Sequence, residues 1–119
     1  MQEHEQWLQF ARDDLKAARG LLPLELFSAV TYHCQQAAEK ALKAYLVYKK
    51  HPAIKTHDLI QLLELCMTFD KTFEKKYEAV DILNPFSTKF RYPSEHDIPD
   101  LEVASLAIKK TQSIVVFVI

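Results

Sequence analysis

Apolar residues recur along this chain at steps of three and four. Over residues 3–21, Trp7, Phe10, Ala11, Leu15 and Ala18 share one stripe, while Arg12, Asp13, Lys16 and Arg19 fall elsewhere. That period predicts an amphipathic helix, with Gly20 and Pro23 as its end. Over residues 24–50 the pattern is stronger: Phe27, Val30, Cys34, Ala37, Ala41, Ala44 and Tyr48 alternate in threes and fours. The central QQAAEKALKAYL consists mainly of strong helix formers. A helix of that length spans about 40 Å at 1.5 Å per residue, which predicts an elongated bundle. Its alanines let another helix approach closely.

His51-Pro52 should break this helix, because proline has no amide hydrogen and restricts the residue before it. Asp58 followed by Gln61 has the form of a capping box and predicts a third helix, burying Leu59, Leu62, Leu63 and Cys66 and stopping near Asp70. A fourth, over residues 71–84, would bury Phe73, Tyr77, Val80 and Leu83. Pro85 precedes residues 86–99, which are of mixed polarity, include Pro93 and Pro99, and form the only long irregular piece. Functional residues concentrate on such segments. A last helix should begin near Pro99 and turn Leu101, Ala104, Ser105, Ile108, Val115 and Val116 inward. The closing IVVFVI has strand propensity, yet no second strand is there to pair with it. The expectation is all-α, an antiparallel bundle of four to five helices. With no internal repeat, linker or low-complexity tract, residues 1–119 read as a single domain.

Composition narrows the class. At 119 residues, 49% hydrophobic and with a net charge of −1, the chain can bury one core without metals or disulfides. The balance excludes a generally basic nucleic-acid coat but leaves room for a local cationic stripe. Cys34 and Cys66 make neither a zinc spacing nor a CxxC pair, and both sit in helical patterns as buried, reduced thiols would. The start, MQEHEQWLQF, does not read as a signal peptide, and no stretch is apolar enough to span a membrane. The expected location is the cytoplasm.

Glycine-rich phosphate loops, HExxH, GxSxG, EF-hand loops and Glu-x-x-His are absent, so no metal or other cofactor is expected. What remains is Lys89-Phe90-Arg91-Tyr92-Pro93-Ser94-Glu95-His96. Arg91 and His96 suit RNA cleavage without a metal. A guanidinium holds a phosphate and stabilises its developing charge. An imidazole moves the proton of the attacking 2′-hydroxyl or of the leaving oxygen. Lys89 adds positive charge, and Tyr92 can stack on a base or bond a phosphate. The alternative is a loop arginine tied to a helix end beside a solvated histidine.

A second candidate is Lys55-Thr56-His57-Asp58, where Lys55 and His57 could contact a phosphate beside a helix start. Capping by Thr56 and Asp58 is the structural alternative. His33, Gln36, Lys40 and Lys43 share a flank of the second helix, read as a packing seam or solvated edge rather than a site. Lys43, Lys49, Lys50 and Lys55 gather near the end of that helix, where they complement its dipole. If Arg91 packs near that end, they become an RNA track.

Trp7 to Leu15, then YHCQQAAEKALKA, then KTHDL, then Arg91-Tyr92-Pro93, resemble a small prokaryotic HEPN-domain protein (higher eukaryotes and prokaryotes nucleotide-binding) over nearly the whole chain. The resemblance implies a compact bundle of four or five helices, usually a homodimer. It also implies, for many members, a metal-independent ribonuclease whose Arg-x(4–6)-His motif is contributed by both subunits; Arg91 and His96 fit that spacing. Its frequent partner is a minimal nucleotidyltransferase in a toxin–antitoxin pair. Where the toxin subgroup continues His-x-Tyr, this chain has Ile98, which counts against control by tyrosine nucleotidylation. The leading expectation is a homodimeric endoribonuclease toxin. The alternative is a non-catalytic nucleotide-binding or adaptor module that partners a nucleotidyltransferase.

Overall fold

A computed structural model describes residues 1–52, 54–93 and 98–119. Among the described residues five α-helices run in order: α1 (Glu3–Leu21), α2 (Phe27–Tyr48), α3 (Leu59–Phe69), α4 (Tyr77–Leu83) and α5 (Leu101–Val118). Two 3₁₀ helices, Lys71–Lys76 and Asn84–Ser87, flank α4, and no strand occurs among the described residues. The closing IVVFVI is helical as far as Val118. The bundle measures 42 × 26 × 23 Å, as elongated as α2 demands.

At the centre stands α2, packed against α1, α3, α4 and α5. Val30, Cys34, Ala37, Ala41 and Ala44 are fully or almost fully buried. Ala11, Leu15 and Ala18 of α1 meet this face, as do Leu59, Leu62 and Leu63 of α3 and Ala104, Ala107 and Ile114 of α5. Thr111 on α5 donates its hydroxyl to the Cys34 carbonyl at 3.2 Å, satisfying a polar group inside the core. Both cysteines are free and buried. Burial pushes each thiol up to about 12, so neither is a thiolate at neutral pH.

Several boundaries differ from expectation, each for a local reason. Gly20 lies inside α1 with no positive φ and is not its stop. The turn is closed instead by Glu25 at φ 60°, with Leu26 N–H bonding Leu21 O at 3.4 Å and Glu25 N–H bonding Leu22 O at 3.0 Å. The same motif ends α2: Lys50 has φ 60°, Lys50 N–H bonds Val47 O at 2.9 Å and His51 N–H bonds Leu46 O at 2.9 Å. This is a Schellman cap with lysine where glycine is favoured, and Pro52 merely follows it. Asp70 interrupts the expected fourth helix by accepting hydrogen bonds from the Thr72 amide at 3.0 Å and its hydroxyl at 2.6 Å, which starts a 3₁₀ turn. As expected, α5 begins close to Pro99, although the proline stays just outside its first turn: Asp100 caps the helix, accepting from Val103 N–H at 2.9 Å. The inward face of α5 is rotated from the expected one. Ala104, Ala107, Thr111, Ile114 and Val115 are buried, while Leu101, Ser105 and Val116 are exposed. On the outer surface, Phe10 and Tyr48 are exposed too. No described helix is long and apolar enough to cross a membrane.

Candidate functional site

Capping geometry pins the site together. Asp58 starts α3 by accepting from Ile60 N–H at 3.0 Å and Gln61 N–H at 3.4 Å. The return bond expected of a capping box comes from Thr56, whose hydroxyl accepts the Asp58 N–H at 3.1 Å. Asn84, at the end of α4, donates to the Asp58 carboxylate at 3.1 Å and accepts the Leu59 N–H at 2.8 Å. One side chain thus ties the start of α3 to the 3₁₀ helix Asn84–Ser87. The loop carrying His57 and the segment carrying Arg91 are thereby held side by side.

Between them and α2 lies an open cleft of about 290 Å³, lined by Tyr32, Gln36, His57, Ser87, Thr88 and Arg91. Buried Phe86 anchors the Arg91 segment, with the Phe90 ring 5.4 Å from it. The Arg91 N–H bonds Thr88 O at 3.1 Å. Its guanidinium rests on the Tyr32 ring, Cζ 4.5 Å from the centroid. Such a contact contributes about 0.5–1 kcal/mol at an exposed site and holds the cation in place without consuming its N–H donors.

Behind the cleft is a polar network rooted in the core. Glu39 receives Lys43 Nζ at 2.9 Å on one oxygen and His57 Nδ1 at 2.9 Å on the other. The Glu39 and Lys43 side chains are 5% and 10% exposed, whereas that of His57 is 71% exposed. Buried Gln35 donates to the His57 carbonyl at 3.2 Å and accepts from Gln36 at 2.8 Å. Trp7 of α1 covers Lys43, its ring centroid 5.8 Å from Nζ.

Of the residues singled out from the sequence, Arg91 and His57 meet at this cleft. Lys89 is exposed, with its Nζ 5.3 Å from the Phe90 ring. Tyr92 and Lys55 are exposed and do not line the cleft. His96 lies outside the described residues. The lysine cluster at the end of α2 does not join Arg91, which packs on Tyr32 near the opposite end of that helix. Lys49 covers Tyr45 and Tyr48 instead, and Lys43 is held inside by Glu39. Gln36, expected on a seam or solvated edge, lines the cleft. Tyr32, Glu39, Ser87 and Thr88 belong to the site although no sequence motif singles them out. The signal that could have found two of them is a second stripe on α2, in which Tyr32, Gln36, Glu39 and Lys43 repeat at threes and fours.

Among curated proteins, none matches this sequence. Two solved structures are similar over its whole length. TT1696 from Thermus thermophilus superposes with a TM-score of 0.87 at 29% identity, covering 99% of this chain and 97% of that one. ST0689, an archaeal HEPN homologue, superposes with a TM-score of 0.79 at 22% identity, covering 99% and 96%. The second likeness shows the fold alone. The family profile of the HEPN domain matches residues 4–118, and the chain therefore belongs to the HEPN family.

Proposed function

We propose that this HEPN-domain chain acts on RNA as a metal-independent endoribonuclease of the toxin–antitoxin kind, working as a homodimer. The observation that carries the reading is the Arg91 guanidinium held over the Tyr32 ring, Cζ 4.5 Å from its centroid, at an open cleft of about 290 Å³. Its donors would bind the scissile phosphate and stabilise the charge that builds on it. His96, five residues along the chain, would transfer a proton. Exposed Tyr92 and Lys89 next to Arg91 would engage a base and a flanking phosphate, and Lys55 a more distant one. The apolar stripe of α2 is consumed by the core, which leaves the exposed Leu101, Leu106 and Val116 of α5 for a twofold contact.

The test is cleavage of total RNA in chelator by the purified chain, with its mass in solution measured alongside. Expected is a dimer that leaves 2′,3′-cyclic phosphate ends, with Arg91→Ala and His96→Ala each at least about 100-fold slower while melting like the parent. Intact RNA would refute the nuclease reading. Nucleotide binding or capture of a nucleotidyltransferase would then support the adaptor alternative.

A further inference from the structure

Cutting RNA at its 2′-hydroxyl needs a proton acceptor for that hydroxyl and a proton donor for the leaving 5′-oxygen. Within one protomer, Arg91 and His96 supply a single titrating group between them, so a second must come from the partner copy or from elsewhere in the same chain. Lining the Arg91 cleft, and 34 positions earlier in the chain, is another imidazole in an unusual setting.

We infer that Glu39 and His57 form an orienting pair and that His57 is the general base of the proposed cleavage, an assignment that rests on the ribonuclease reading. Glu39 Oε1 lies 2.9 Å from His57 Nδ1, so the carboxylate holds the ring with its proton on Nδ1. No described group bonds Nε2, whose lone pair is left to solvent and to the cleft that His57 lines. Gln35 fixes the backbone of the same residue through its carbonyl. Stability gives no reason for the arrangement, because a buried Glu–Lys pair rarely outperforms apolar side chains of the same volume. What it does secure is a carboxylate that cannot swing away: Lys43 holds one oxygen, the core encloses the rest, and only the imidazole emerges.

In the reaction, the 2′-oxygen attacks phosphorus and its proton passes to His57 Nε2. The bond to the 5′-oxygen breaks, and that oxygen takes a proton from His96. The products are a 2′,3′-cyclic phosphate and a 5′-hydroxyl. The imidazolium formed on His57 faces Glu39, whose charge is tempered but not cancelled by Lys43. Arg91, which lines the same cleft, stabilises the phosphorane oxygens. Glu39 is a positioning residue and touches no substrate.

Two measurements test this on the intact chain. Long-range ¹H–¹⁵N spectra of the free protein should show neutral His57 protonated at Nδ1, and Glu39→Gln should move it toward the Nε2–H tautomer. In cleavage assays, His57→Ala should lower kcat by about 10²–10⁴-fold with KM nearly unchanged, and Glu39→Gln by about 10–100-fold. Since His57 is exposed, its alanine variant should melt like the parent even if the Glu39 variant does not. An Nε2–H tautomer in the parent, or full-rate cleavage by His57→Ala, overturns the inference and leaves the ribonuclease reading standing. A parent chain that cuts no RNA overturns both, whatever the tautomer.

Discussion

Two carboxylates, one facing α2 from α1 and one on α2 itself, carry nearly the same partners in different surroundings. Asp14 of α1 takes the His33 Nδ1 at 2.9 Å and the Lys40 Nζ at 2.6 Å. Glu39 takes the His57 Nδ1 and the Lys43 Nζ, both at 2.9 Å. In the first set every member is part-covered: 13% exposed for Asp14, 31% for His33 and 26% for Lys40. Its partners lie about two turns apart on α2, so Asp14 laces α1 to α2 along their seam. In the second set the carboxylate and lysine share one helix and are dry, while the histidine sits on a loop and is wet. The first set joins two helices; the second connects the core to a loop. The difference separates an ion pair that laces two helices from one that reaches the cleft proposed as the site.

That contrast can be broken from either side. Glu39→Ala leaves Lys43 buried against Trp7 without its anion, and should cost about 3–5 kcal/mol in denaturant unfolding. A loss below about 1 kcal/mol would mean the pair is hydrated in solution. Asp14→Ala should cost only about 1 kcal/mol, and less at high salt, because its partners can turn to water. Equal costs for the two variants would erase the distinction. His57→Ala should change stability by no more than about 0.5 kcal/mol, since its ring is exposed.

Asp70 gives the lower bound, a carboxylate that caps and bridges nothing. The hydrogen bonds from Thr72, hydroxyl first and then amide, hold its carboxyl below the usual value of 3.8. A lowered value in the folded state means its contribution is present above the unfolded value and is lost as pH falls through the folded one. Asp70→Ala should therefore weaken the protein slightly at neutral pH and flatten its decline on acidification below about pH 4. A series of melting curves between about pH 2 and 7 checks this.

Much of the bundle can be read from the sequence because α1, α2 and α3 have unequal faces, and periodicity then specifies which side goes inward. Where it fails, the faces are nearly equal or the deciding contact is distant. Along the last turns of α5 every position from Ile114 to Val118 is apolar, so the pattern does not choose between Val116 and Ile114; packing against α2 does. The Lys71–Lys76 turn depends on one Asp70–Thr72 contact that outcompetes a helical pattern. At the site, Arg91 and His57 stand out as residue types, but their meeting depends on Asn84, which carries no chemistry of its own. Glu39 and Lys43 look like an ordinary surface pair at i, i+4. Only the helices stacked around α2 make them interior.

The hydroxyl of Thr111 on the Cys34 carbonyl joins residues 77 positions apart, and α5 covers one side of α2. Synthesis runs from the amino end, so 52 residues separate the close of α2 from the start of its cover. At roughly 5–20 residues per second, the nascent chain carries a bare alanine-rich flank for several seconds. During that interval the unfinished protein presents a sticky surface to chaperones and to other copies of itself, and mutations that slow translation in this stretch should raise aggregation without altering the finished molecule.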